Sequence, residues 1–141
     1  GDEYLPENHL WGPRGYYKDG YYSNASCCFV SEIGYHGCPN AESLQKMMTK
    51  NAIYPWTKPY EWNDEWVTKS VRRFPEWGKT FERNNLMLNQ IKLLFGKVPT
   101  QLDDFIFASQ SVQAEAMKYF IVRSLMIRQA LYGGISEMVG R

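Results

Sequence analysis

The stretch Phe29-Val30-Ser31-Glu32-Ile33-Gly34-Tyr35-His36-Gly37-Cys38-Pro39 constrains the fold of this chain most. An apolar, partly β-branched run ends in one acidic residue, and a glycine follows two positions later. Such a run reads as a short buried strand, from about Cys27 to Ser31, that delivers the Glu32 carboxylate to its C-terminal edge. In α/β architectures that edge is where the loops leaving the strands build a site.

The chain has 141 residues, enough for one domain with a core, and 44% of them are hydrophobic, a globular composition. Sixteen basic and fifteen acidic residues leave a net charge of +1. There is no basic run to track a phosphate backbone, and Arg72-Arg73 is isolated, so nucleic acid is not an expected partner. No stretch approaches the ~20 apolar residues of a membrane span. Aromatic residues reach 16%, with five Trp, ten Tyr and seven Phe, which suits a sugar-binding cleft but also a dense core. The three cysteines, Cys27, Cys28 and Cys38, form neither a disulfide framework nor a metal-ligand spacing.

Along the chain, the first 26 residues read as an aromatic-rich loop interrupted by Pro6, Gly12, Pro13, Gly15 and Gly20. After the strand, Asn40 is a good N-cap for a helix from Ala41 through Met48. A short helix is expected around Asn63 to Val71, inside an irregular stretch anchored by Trp56, Trp62, Trp66 and Trp77. These tryptophans read first as core, with a leaving-group subsite as the second reading. Asn84 or Asn85 starts the next helix, with Leu88, Ile91 and Phe95 on one face and Gly96 ending it. A long helix follows from Asp103 to about Ala130, its apolar spacing carried by Phe105, Ile106, Val112, Ala116, Met117, Phe120, Ile121 and Leu125. After Gly133-Gly134, Ile135-Ser136-Glu137-Met138-Val139 reads as a second strand.

Two strands separated by a mostly helical stretch do not make a closed sheet, and parallel strands need neighbours to bury both faces. The expected class is therefore α/β: a segment of a barrel or open sheet, helix-rich when taken by itself.

The residues resemble the catalytic domain of glycoside hydrolase family 2, especially its β-mannosidase and β-galactosidase-like members. Phe29-Val30-Ser31-Glu32-Ile33-Gly34 is similar to the seventh-strand signature that carries the family's nucleophile. Asn8-His9-Leu10-Trp11-Gly12 is similar to the His-x-Trp stretch before that strand. Leu102-Asp103-Asp104-Phe105-Ile106-Phe107-Ala108-Ser109-Gln110 with Gln113-Ala114-Glu115-Ala116 resembles the helix that follows. Gly133-Gly134-Ile135 sits where the eighth strand of the family begins. The blocks fall in the expected order over nearly the whole chain.

The resemblance implies the last quarter to half of a (β/α)₈ TIM barrel, since a whole barrel takes ~250 residues. It implies a retaining hydrolase of β-mannosides or β-galactosides with Glu32 as nucleophile, no metal and no other cofactor. His9 and Trp11 are candidate sugar contacts, by hydrogen bond and by stacking, with an ordered loop packing on the barrel as the equal alternative, and His36 reads first as a loop histidine and second as a rim residue of the sugar site. The family's acid/base glutamate has no counterpart in the sequence, and nothing around Glu137 matches its motif, so the chain by itself is expected to be inactive. The implied partners are a carbohydrate and the remainder of the barrel, with self-association when isolated, and the family leans toward a periplasmic or secreted location. The alternative is a non-catalytic carbohydrate- or protein-binding module derived from such a barrel. Calorimetry with mannosides and galactosides separates the two, because binding by a module survives Glu32→Ala and comes with no chemistry.

Overall fold

The computed structural model describes residues 5–10, 15–24, 27–55, 61–70 and 83–139. In chain order these form β1 (Leu5–Leu10), α1 (Gly20–Ser23), β2 (Cys27–Ile33), α2 (Ala41–Met47), α3 (Asp64–Ser70), α4 (Arg83–Phe95) and α5 (Leu102–Val139). No described helix is both long and apolar enough to cross a membrane. The chain divides into two compact units, residues 1–35 with 114–141, and residues 36–113.

In the first unit β1 and β2 pair in parallel, Leu5 opposite Cys27 and Leu10 opposite Ile33. β2 runs two residues beyond the expected Ser31 and carries Glu32 inside the strand. Its partner lies in the stretch read as loop, and the expected strand at Ile135–Val139 is instead the end of α5. Gly133 and Gly134 each cost a helix about 1 kcal/mol relative to alanine. They do not end α5, because a helix already nucleated over many turns gains one backbone hydrogen bond for each residue it adds.

Of the aromatic residues between the strands, Tyr17 and Tyr22 are core, whereas Tyr16 and Tyr21 are exposed. Tyr17, Tyr22 and Tyr35 are buried with Phe120 of α5, and the Tyr22 and Phe120 ring centroids lie 4.5 Å apart. Asp19 caps α1 by accepting a 2.8 Å bond from the Tyr21 N–H. The spacing in this half of α5 buries Ala116 and Phe120, while Ile121 and Leu125 are exposed.

The second unit follows its capping signals closely. Asn40 accepts from the Ser43 N–H at 2.8 Å and starts α2 at Ala41. Asn63 plays the same part for α3, accepting from the Trp66 N–H at 3.1 Å. Its amide also donates to the Tyr54 and Ala52 carbonyls at 2.7 and 3.0 Å, which ties the preceding turn to the helix start. Glu65 of α3 accepts from the Thr49 hydroxyl at 2.7 Å and the Thr49 N–H at 2.9 Å, and these bonds hold its carboxyl below the usual range. The core gathers Leu44, Trp66, Leu88, Ile91, Phe105 and Val112, all buried, whereas Phe95 at the end of α4 is exposed. Trp62 and Trp66 pack on the Phe105 ring, so this part of the tryptophan cluster is structural. Trp56 and Trp77 lie outside the described residues.

Gly96 ends α4 with φ +76°, and its N–H donates to the Lys92 carbonyl at 2.8 Å. Open space surrounds the position of a Cβ there, so the left-handed backbone is the whole cost of a side chain. Gly96→Ala should lower the free energy of unfolding by about 1 kcal/mol, read as a shift of the urea midpoint at constant slope.

Residues 36–39 are fastened to α5 within this unit. The Cys38 N–H donates to the buried Ser109 hydroxyl at 2.9 Å, and the Gln110 amide donates to the Cys38 carbonyl at 3.1 Å. A Cβ on Gly37 would collide with the Gln113 side-chain amide, so a larger residue fits only if that amide moves. Burial pushes the Cys38 thiol up from 9.0 to about 12. In the first unit, burial, with the neighbouring hydroxyls of Tyr22 and Tyr17 adding to it, raises the Tyr35 hydroxyl well above its ordinary 10.0. Both groups keep their protons in the folded chain at pH values where the unfolded chain has released them. Their contribution to stability is complete below about pH 9 and is lost as the pH climbs through the folded values. The thermal midpoint should therefore be flat up to about pH 9 and fall steadily above it.

Candidate active site

Side chains on a strand alternate between two faces, so the pairing register decides what stands beside Glu32. Glu7 pairs with Phe29 and Asn8 with Val30, but His9 pairs with Glu32, so Ser31 is an extra residue on β2. This bulge turns the Glu32 side chain onto the face that carries Glu7 and His9. An unbroken register would have placed it opposite Leu10, which is buried. The two faces differ accordingly. Leu10 and Ile33 lie together on one, while Glu7, His9, Phe29, Ser31 and Glu32 are exposed on the other.

On that face the polar groups converge. His9 Nδ1 lies 3.6 Å from Glu32 Oε2, and His9 Nε2 lies 3.4 Å from Glu7 Oε1. The Ser31 hydroxyl donates to the same Glu7 Oε1. Both imidazole nitrogens are thus within ion-pair distance of a carboxylate, and Glu7 accepts a hydrogen bond from the bulge residue. The side chains of His9, Glu7 and Glu32 are about half exposed, at 54%, 50% and 53%, so a ligand can reach them.

Of the four residues singled out in the sequence, the structure brings Glu32 and His9 together. Trp11 lies outside the described residues, and His36 belongs to the second unit, where it is half-buried. Glu137, the other carboxylate considered, falls on α5 and not on a strand. Glu7 was missed. Its spacing of two from His9 would have placed both on one strand face, had Leu5–Leu10 been read as a strand. Among the described residues, no group of three or more His, Cys, Asp and Glu side chains is placed to hold a metal ion.

Chemically, the face offers a carboxylate nucleophile or base, an imidazole within reach of it, and an exposed aromatic ring, Phe29, two residues from the bulge. No protein-family model, curated protein or solved structure matches the chain.

Proposed function

We propose that the chain is the C-terminal part of a retaining β-glycosidase barrel of glycoside hydrolase family 2, with Glu32 as its nucleophile. The observation that carries this reading is the placement of Glu32. It stands near the carboxyl end of a parallel strand and is turned by a bulge onto an accessible polar face. A parallel strand pair followed by helices is compatible with part of a (β/α)₈ barrel, and the blocks at Asn8, Phe29 and Leu102 fall on β1, β2 and α5, whereas the Gly133-Gly134-Ile135 block is helix in α5 and not an eighth strand.

The chemistry is a double displacement. A Glu32 oxygen attacks the anomeric carbon of a β-mannoside or β-galactoside as the bond to the leaving oxygen breaks. That oxygen takes a proton from an acid/base carboxyl supplied by another part of the barrel. Water then attacks the glycosyl ester, gives its proton back to that second carboxyl, and frees Glu32 and a sugar of retained configuration. The two carboxyls must stand ~5–5.5 Å apart for the direct attack. The chain alone lacks the second one and should not turn over an aryl β-glycoside.

Trapping tests the reading. The full-length protein is incubated with an activated 2-deoxy-2-fluoro β-mannoside or β-galactoside, digested, and sequenced by mass spectrometry. The expected label is one glycosyl group on Glu32. A label on any other carboxylate, or turnover without a covalent species, overturns the assignment.

A further inference from the structure

We infer that His9 and Glu7 form a positioning pair that fixes the Glu32 carboxylate for attack, an inference that rests on the glycosidase reading above. Direct displacement at an anomeric carbon demands one carboxylate oxygen held on line with the breaking bond, and misplacing it by about 1 Å can cost a hundredfold in rate. A half-exposed glutamate near a strand end has several rotamers open to it. The side chains around Glu32 restrict that choice. His9 Nδ1 faces Glu32 Oε2 at 3.6 Å, and the other ring nitrogen faces Glu7 at 3.4 Å. Glu7 in turn accepts the Ser31 hydroxyl. The imidazole is thereby set between two carboxylates, with Glu7 beside one ring nitrogen and Glu32 beside the other.

Three features distinguish this arrangement from a chance surface contact. All four side chains project from paired strands and not from loops, which suits a geometry that must be kept. The bulge that turns Glu32 outward also supplies Ser31, the group that secures Glu7, so one local irregularity serves both ends of the row. Finally, each ring nitrogen of His9 lies within 3.6 Å of a carboxylate oxygen. In this inference His9, expected from the sequence as a sugar contact, acts through Glu32, and Glu7 joins the site as the residue that orients the ring.

The test uses the full-length protein and the same 2-fluoro glycosides, with Glu7→Gln, His9→Ala, their double variant, and Glu32→Gln for reference. The rate of covalent labelling at Glu32 and kcat for an aryl β-glycoside should fall roughly ten- to a hundredfold in His9→Ala and in Glu7→Gln, while KM stays near its parental value. Because Glu7 acts through His9, the double variant should be about as slow as His9→Ala alone, a departure from multiplicative effects that a purely structural role would not give. Parental labelling rates in Glu7→Gln or His9→Ala, with Glu32→Gln unlabelled, overturn the positioning pair and leave the glycosidase reading standing. Parental labelling of Glu32→Gln removes the reading itself. Glu7→Gln keeps the shape of a half-exposed side chain, so its labelling rate decides the matter even where His9→Ala does not fold.

Discussion

On the proposed glycosidase reading, replacing Glu32 with glutamine in the full-length protein should lower turnover of an aryl β-glycoside by on the order of 10⁴-fold or more, the loss expected when a covalent nucleophile is removed. The amide keeps the side chain's shape and its place opposite His9 but cannot form the glycosyl ester. Binding does not depend on the bond that forms, so KM should move far less than kcat. Glu32→Ala extends the argument, because it opens room beside an accessible strand face. A small anion such as azide can enter that space, attack the anomeric carbon in place of the carboxylate as the bond to the leaving oxygen breaks, and leave as a glycosyl azide. Direct attack by azide inverts the centre once, so a β-glycoside should give the α-azide. Formation of that product from Glu32→Ala, and its absence from Glu32→Gln, is the expected pair of results. Parental turnover by either variant would remove Glu32 from the chemistry.

The largest effect on stability is expected at Phe105. Its ring is fully buried, with Trp62 and Trp66 centroids 6.1 and 6.3 Å away, and Trp66 itself is anchored by its indole N–H, which donates to the Ala52 carbonyl at 2.9 Å. Truncation leaves a cavity walled by two indoles that their own hydrogen bonds keep from collapsing inward. Phe105→Ala should therefore cost about 3–5 kcal/mol, toward the upper end for a large-to-small core change. Two residues along the same helix, Phe107 is 70% exposed, and Phe107→Ala should stay within about 0.5 kcal/mol. Denaturant titrations followed by tryptophan fluorescence compare the pair directly. Equal shifts for the two would contradict the packing described.

What the sequence disclosed depended on how local the signal was. The α2 and α4 boundaries were legible because a capping asparagine and a left-handed glycine act within one turn. β2 was legible from its apolar, β-branched run. β1 was not, because Pro6 withholds a backbone donor and Glu7, Asn8 and His9 interrupt the apolar pattern. A strand with a sheet neighbour on only one side among the described residues tolerates all of these. The Gly133-Gly134 pair misled in the opposite direction, since the weight of a long helix behind it outweighs two poor helix formers. At the site, Glu32 and His9 could each be named from the sequence, but their meeting could not. The bulge that joins them is a property of two strands together, and no residue in either one announces it.

Side-chain direction along β2 is a matter of parity, and the supernumerary Ser31 changes the parity of everything after it. One residue counted in or out decides whether the carboxylate faces water or Leu10, and whether Ile33 joins Leu10 on the opposite face. Between Phe29 and Ile33 the length of the chain therefore carries more information than the identity of most of its residues. Substitutions at Val30 or Ile33 alter packing locally, whereas an insertion there exchanges the two faces for every position downstream. The segment should accept changes of spelling far more readily than changes of length.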